Sequence, residues 1–196
     1  MNICVFAGSS SGRRPVFREA AAALGQEIAS RGLGLVYGGA SVGLMGAVAD
    51  AALAAGGAVT GVLPRTLAEV EITHNGLTEL LIVESMHERK AIMADLSAAF
   101  IALPGGIGTL EEAFEVWTWS QLGIHSKPIG LLNVDGFYDR LTGFLDQLVE
   151  DQFVRDVHRR IMHMDAEPAR LLDLLQHAEV PRSRKWIDEL VAKELR

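Results

Sequence analysis

Short apolar runs alternate with longer segments of helical spacing along nearly the whole chain. Strands that are apolar throughout are covered on both faces, and helices between successive strands make those strands parallel. The predicted strands are 2–8, 34–39, 58–64, 79–85, 99–106, 128–133 and 160–164, and the predicted helices are 15–31, 43–55, 86–97, 108–122, 137–150, 167–177 and, as a short amphipathic tail, 182–196. This pattern predicts a Rossmann-like α/β fold, a doubly wound parallel sheet with helices on both faces.

Length and composition fit one domain of this kind. The chain has 196 residues, of which 49% are apolar, and no linker, repeat or low-complexity block divides it, so we expect residues 1–196 to form a single domain. A net charge of −7 gives no general attraction to nucleic acid, and we expect a small-molecule partner instead. The single cysteine, Cys4, lies in an apolar run and cannot form an intrachain disulfide, which favours a cytoplasmic location.

The stretch most similar to a membrane span is 43–64, which contains one charged residue, Asp50. It is rich in Ala and Gly, is interrupted by Gly56 and Gly57, and ends at Pro64. We therefore expect a helix of small residues, a turn and a strand, and no membrane partner.

Four predicted strands end in segments with unusual chemistry. These segments are "GSSSGRR" (8–14), "GGASVGLMG" (38–46), "ESMHERK" (84–90) and "PGGIGTLEE" (104–112). Doubly wound sheets bind ligands beyond the carboxyl ends of their strands, near the point where the strand order reverses. In the common order 3-2-1-4-5-6, strands one and four are neighbours there, so we expect the four segments to converge on one cleft.

The segment "PGGIGTLEE" places glycines directly before two carboxylates. Glycines that open a helix let backbone N–H groups bind a phosphate, which the helix dipole also favours. Glu111 and Glu112 would repel that phosphate, so they either only favour the helix N-terminus or face another part of the ligand. Arg89 and Glu112 begin the helices after the fourth and fifth strands, which we expect to be adjacent. They would then meet at one rim, as a structural ion pair or as a catalytic pair.

Other polar and aromatic residues have simpler interpretations. Ser9 and Ser10 are candidate helix caps, and Arg13 and Arg14 are expected to be solvated unless a phosphate recruits one of them. The histidines at 74, 87 and 125 lack metal-ligand spacing with one another or with carboxylates, so no metal is expected. The tryptophans at 117 and 119 suit a core or a subunit contact.

The segments that follow the fourth and fifth predicted strands resemble those of a known family. "MHERK" (86–90) followed by "PGGIGTLEE" (104–112) is similar to the LONELY GUY (LOG) family of cytokinin-activating phosphoribohydrolases, whose motif is PGGxGTxxE. The segments "YGGASVGLMGAVADAAL", "LTELLIVESMHERK" and "WSQLGIHSKPIGLLN" extend the resemblance over roughly 3–165. The chain departs from the family at Ala40, where Gly is frequent, and at Ala98, where Asp is common. Ala40 implies a slightly different loop conformation.

The resemblance implies hydrolysis of cytokinin riboside 5′-monophosphates to free base and ribose 5-phosphate, with AMP as a lesser substrate and no metal or cofactor. It makes Arg89 and Glu112 the catalytic pair, with Arg89 holding the carboxylate ionised and Glu112 stabilising an oxocarbenium-like transition state. The substrate-binding residues carried by the resemblance are Ser9, Gly39, Glu84, Met86, Lys90, Gly105, Gly106, Ile107, Gly108 and Thr109.

Two other functions are alternatives to hydrolysis. Proteins with this motif are often labelled lysine decarboxylases, but that chemistry needs a Schiff-base lysine, and only Lys90, Lys127, Lys185 and Lys193 are available. The other alternative is a nucleotide carrier that uses the same cleft without turnover, although the presence of both Arg89 and Glu112 favours an enzyme.

The resemblance also implies a homodimer. Leu110, Phe114, Trp117 and Leu122 recur at helical spacing beside the candidate site, and an aromatic helix surface of this kind needs to be covered.

Overall fold

The computed structural model describes residues 1–68 and 73–180. The strands are β1 (Asn2–Phe6), β2 (Gly34–Tyr37), β3 (Val59–Pro64), β4 (Glu79–Val83), β5 (Ala99–Ala102), β6 (Ile129–Leu132) and β7 (Met162–Asp165). The helices are α1 (Pro15–Ser30), α2 (Gly43–Ala54), α3 (Arg65–Ala68), α4 (Met86–Asp95), α5 (Ile107–Gln121), α6 (Asp139–Glu150), α7 (Asp156–Arg159) and α8 (Pro168–His177), with a 3-10 turn at Val134–Gly136.

All strand pairs are parallel, and the strands form one sheet in the order β4-β3-β2-β1-β5-β6-β7. Alternate residues of β1 enter opposite cores: Ile3 packs with residues of α1, α2 and α8, whereas Cys4 packs with residues of α4, α5 and α6. Both faces of the inner strands are therefore covered, which explains their uniformly apolar sequences, whereas Leu80 and Ile82 of the edge strand β4 are 36% and 41% exposed. The predicted Rossmann-like α/β fold is confirmed.

The predicted order of the strands is wrong at the point where the order reverses. The strand beside β1 is β5, not the fourth strand, which lies at the edge of the sheet beside β3. Three strands thus separate β4 from β5, and Arg89 and Glu112 do not follow adjacent strands. The sequence could not show that β4 is an edge strand, because its residues have the same apolar pattern as those of an inner strand.

Most predicted elements are present, with ends that differ by a few residues. The helices α3 and α7 were not predicted, because four residues are too few to show a helical period. The stretch 43–64 contains α2, a turn and β3, as expected, and no helix among the described residues is long and apolar enough to cross a membrane. The tail predicted at 182–196 lies outside the described residues.

Two expected core residues are buried within the chain. Cys4 is inaccessible to solvent, and burial raises the pKa of its thiol well above the ordinary value, which confirms the interpretation of a buried, unreactive cysteine. Trp117 is 6% exposed, and its Nε1 donates to the carbonyl oxygen of His158 at 2.9 Å. Trp117 therefore packs in the core of its own chain, and it does not add to the apolar surface on which the expected dimer partly rested.

Candidate active site

A cavity of about 380 Å³ lies at the carboxyl end of the sheet, where the strand order reverses. The segment after β1 contributes Gly8 and Ser9, and Met45 belongs to α2. Met86 and Arg89 come from α4. The glycine-rich start of α5 supplies Gly106, Ile107, Gly108, Thr109, Glu111 and Glu112. The four segments that the sequence predicted to converge therefore do so.

The N-terminus of α5 opens into this cavity. Its N-cap residue, Gly106, provides no side-chain cap, and a Cβ atom added at Gly106 or Gly108 would meet nothing within 4 Å. At α2, by contrast, the amides of Leu44 and Met45 donate to the carbonyl oxygen of Gly8 at 3.0 and 3.4 Å. The first turn of α5 is thus the helix N-terminus at the cavity with space for an anion.

Gly105 has a packing role. A Cβ atom there would lie 2.1 Å from Oγ1 of Thr109, so only glycine leaves room for the threonine side chain. Gly105 lines a second, smaller cavity of about 230 Å³, which shares Gly8, Ser9 and Gly106 with the larger one. Its contribution to the site is therefore to admit Thr109, which is buried beside the cavity.

Arg89 and Glu112 meet at the wall of the cavity. Nη2 of Arg89 lies 3.6 Å from Oε1 of Glu112, and the two side chains are only 9% and 11% exposed. Arg89 reaches this position by crossing the end of β2, where a Cβ atom on Gly38 would lie 2.1 Å from Nη2. The pair expected from neighbouring strands is therefore formed by a long side chain that passes over a glycine.

Burial dominates the protonation of Glu112. It raises the pKa of this carboxyl to about 7, and although the charge of Arg89 lowers the pKa, the charge of Glu111 raises it further. The charge of Arg89 favours the ionised carboxylate, as expected, but with its Nη2 3.6 Å away the guanidinium does not offset the loss of water. A pKa near neutral lets the carboxyl of Glu112 both accept and release a proton.

Three predicted substrate-binding residues, Glu84, Lys90 and Gly39, line neither of the two cavities. Glu84 is exposed and pairs with Arg65 at 2.8 Å, and this hydrogen bond lowers the pKa of its carboxyl. Lys90 is buried against two carboxylates of α5. Gly39 has a φ of +83°, a left-handed backbone conformation that glycine adopts readily, and it forms the turn after β2. Glu84, Lys90 and Gly39 thus have interactions or backbone roles within the protein itself.

The serines after β1 are not helix caps. Ser9 lines both cavities, Oγ of Ser10 accepts from the amide of Gly12 at 3.3 Å, and the N-cap of α1 is Arg14 without a side-chain cap. Arg14 pairs with Asp135 and lies over the ring of Phe17, so its guanidinium already has partners within the protein.

No group of three or more His, Cys, Asp or Glu side chains in residues 1–68 and 73–180 is arranged to hold a metal ion. His74 instead hydrogen-bonds Asp50 at 3.0 Å.

Several lining residues were not assigned from the sequence. Leu67 lies on the short helix α3. Ala7, Gly8 and Met45 have no polar or ionisable side chain that would indicate a binding role from the sequence. The sequence pattern allows Glu111 to be only a helix-dipole carboxylate, but in the structure it lines the cavity and pairs with Lys90. Only the position of α3 over the cleft brings Leu67 to this wall.

The two departures from the family pattern lie in different places. Ala40 is buried, avoids the left-handed backbone region, and forms an isolated antiparallel bridge with Thr73. Ala98 precedes β5, at the opposite end of that strand from the cavity, and its amide donates to the carbonyl oxygen of Asn2 at 2.9 Å. Ala98 is therefore remote from the candidate chemistry.

Solved structures with similar folds have diverged sequences. The molybdenum cofactor carrier protein of Chlamydomonas reinhardtii superposes with a TM-score of 0.67 at 22% identity, covering 89% of this chain and 95% of that chain. The molybdenum cofactor binding protein of Rippkaea orientalis gives 0.66 at 24% identity, covering 89% and 94%. At these identities the likeness shows the shared fold alone.

Comparisons of sequence reach much closer relatives. A family model described as "Possible lysine decarboxylase" matches residues 45–175. Cytokinin riboside 5′-monophosphate phosphoribohydrolase LOG2 of Arabidopsis thaliana is 49% identical over 189 residues, covering 96% of this chain and 88% of the relative. LOG5 of the same plant is 56% identical over 159 residues, covering 81% and 70%. The chain therefore belongs to the LOG family of cytokinin riboside 5′-monophosphate phosphoribohydrolases.

Proposed function

We propose that this protein hydrolyses the N-glycosidic bond of cytokinin riboside 5′-monophosphates, and of AMP as a lesser substrate, to release free base and ribose 5-phosphate. Family membership supports the reaction, since relatives about 50% identical over most of the chain carry this activity in their names. The observation that carries the assignment of the site is the buried Arg89–Glu112 pair, one helical turn from the open N-terminus of α5.

The start of α5 holds the 5′-phosphate of the substrate. The amides of the first turn, the dipole of the helix and the hydroxyl of Thr109 provide donors and partial positive charge there. Gly106 and Gly108 leave open space next to the backbone, which a phosphate can occupy closely. This contact fixes the end of the substrate that is remote from the bond to be cleaved.

Glu112 acts on the ribose. It follows Gly108 by one turn of α5, about 6 Å along the axis, so its carboxyl can face the sugar while the phosphate stays at the helix N-terminus. Cleavage breaks the bond between the anomeric carbon and the base nitrogen, whose electron pair leaves with the base, and positive charge develops on the sugar. Ionised Glu112 stabilises that charge and accepts a proton from the attacking water. This proton ends on the released base. Arg89 orients the carboxylate or the ribose hydroxyls.

The remaining substrate-side assignments follow the lining of the cavity. Ser9, Ile107 and Met86 line the cavity. We assign Ser9 and Ile107 to the phosphate end of the substrate and Met86 to the base or ribose. Glu84, Gly39 and Lys90 do not line the cavity and are not proposed to touch the substrate of this chain.

We further propose a cytoplasmic homodimer. Leu122 and Ile124, at the end of α5, are 41% and 66% exposed, and a partner subunit would cover them. The buried thiol of Cys4 suits a reducing compartment.

Two alternatives predict different products. A decarboxylase would form a Schiff base on a lysine, yet Lys90 is bound between Glu111 and Glu115, and Lys127 donates to the carbonyl oxygen of Ala94 at 2.6 Å. Absorbance of an imine after addition of pyridoxal phosphate would revive this alternative. A nucleotide carrier would bind AMP without releasing base.

The decisive experiment measures free base after incubation with isopentenyladenosine monophosphate and with AMP. Glu112→Gln keeps the shape of the side chain but removes its charge, so turnover should fall by at least ~100-fold while AMP binding changes little. Arg89→Ala should also abolish most turnover. The control is Glu150→Gln, at the exposed end of α6, which should retain wild-type rates. Nucleotide binding without base release by the wild type would favour the carrier, and near-wild-type hydrolysis by folded Glu112→Gln would refute the mechanism.

A further inference from the structure

Lys90 is the neighbour of Arg89 in sequence but faces other partners. Its Nζ lies 2.6 Å from Oε1 of Glu111 and 2.8 Å from Oε2 of Glu115, and its side chain is only 8% exposed. Although burial opposes it, these two carboxylates raise the pKa of the Lys90 ammonium, so the group stays charged. A buried ammonium with two charged partners is already satisfied, and Lys90 does not line the cavity.

The partners of Lys90 flank Glu112 on its own helix. Glu111 precedes Glu112, and Glu115 follows it by three residues, so both carboxylates lie within one turn of the candidate catalytic group. Three strands separate β4 from β5, so α4 and α5 do not follow neighbouring strands. Apolar side chains of both helices pack in one core, and the charged contacts from α4 to α5 run through Arg89 and Lys90.

We propose that Lys90 is a positioning residue, which binds α4 to α5 through Glu111 and Glu115 and thereby holds Glu112 opposite Arg89 in a fixed balance of charge. This proposal rests on the role of Glu112 in the proposed function. It replaces the substrate-binding role that the family resemblance implied for Lys90.

Charged and titratable groups surround Glu112 from three elements. Arg89 and Lys90 on α4 favour the ionised carboxyl, and Glu111 and Glu115 on α5, the helix of Glu112 itself, disfavour it. On β1, the neutral thiol of Cys4 is buried nearby, and its own pKa responds to the charge of Glu112. Lys90 and its two carboxylates together carry a net charge of about −1, which any single substitution changes in a known direction.

Two substitutions separate this role from a merely structural one. Lys90→Met and Glu115→Gln break the same ion pair, but the first removes a positive charge near Glu112 and the second removes a negative one. The pKa of Glu112 should therefore rise in Lys90→Met and fall in Glu115→Gln, each by about 0.5 pH unit or more. The acid limb of the kcat/KM profile for AMP hydrolysis should move in the same opposite directions. Lys90→Met should also lower kcat by about tenfold or more, with little change in KM, and Lys90→Arg should restore most of the rate.

The pKa of Glu112 is measured without turnover by carbon-13 NMR of labelled glutamate carboxyls, with Glu112→Gln for assignment. The control is Lys127→Met, which removes another lysine bound to α4, through the carbonyl oxygen of Ala94, and should leave the titration of Glu112 unchanged. Should Lys90→Met fail to fold, the fall in Glu115→Gln still decides the question. Opposite displacements with no base release from any variant or from the wild type would support the positioning role and refute the proposed function. Displacements in the same direction, no displacement, or an effect of Lys90→Met on KM alone would overturn the proposal.

Discussion

Glu112→Gln should change how the stability of the folded protein depends on pH. The carboxyl of Glu112 has a pKa of about 7 in the folded chain because it is buried, against an ordinary value of 4.5. Between these two values the folded chain binds more protons than the unfolded chain, so the free energy of unfolding falls as the pH rises from 4.5 to 7. Glutamine has no proton to lose and avoids this cost.

The displaced pKa sets the size of the effect. Ionising a carboxyl whose pKa has moved from 4.5 to about 7 costs about 3 kcal/mol above pH 7, and most of this cost is absent at pH 5. Relative to wild type, Glu112→Gln should therefore gain about 2 kcal/mol of unfolding free energy between pH 5 and pH 8.

Urea denaturation at a fixed protein concentration, repeated across this pH range, measures the difference directly. Glu150→Gln, at the exposed end of α6, should follow the pH dependence of the wild type. If the difference in unfolding free energy between wild type and Glu112→Gln is the same at pH 5 and pH 8, the carboxyl is not protonated by burial, and the account of its pKa is wrong.

Three further outcomes are expected. Adenosine should be hydrolysed on the order of a hundredfold less efficiently than AMP in kcat/KM, about 3 kcal/mol, because the phosphate positions the anomeric carbon; equal rates would show that the start of α5 does not hold a phosphate. Gly38→Ala should lower AMP hydrolysis by on the order of a hundredfold, because the new Cβ would lie 2.1 Å from Nη2 of Arg89, whereas Gly143→Ala, with nothing within 4 Å, is the matched control. Equal losses in both variants would remove the specific role of Gly38. Light scattering should give about twice the chain mass of 21.2 kDa, and a monomer throughout the micromolar range would contradict the dimer.

The sequence alone determined the class of fold and the location of the candidate site along the chain. Apolar strands without alternation require cover on both faces, so a parallel sheet with helices on each side follows from local pattern. The glycines before α5 identify an open helix N-terminus in the same local way, since Gly106 and Gly108 leave space that a side chain would fill. Both features depend on residues close together in the sequence.

The order of the strands and the chemistry of the site were decided by tertiary structure. The apolar pattern of β4 predicts a strand but does not indicate which strand it pairs with, so its position at the edge of the sheet could not be predicted. The path of Arg89 over Gly38 follows from that position. The pKa of Glu112 depends on how completely α4, α5 and β1 exclude water from it. These elements are distant in sequence, and desolvation acts through space, so only the folded chain determines that burial outweighs the charge of Arg89.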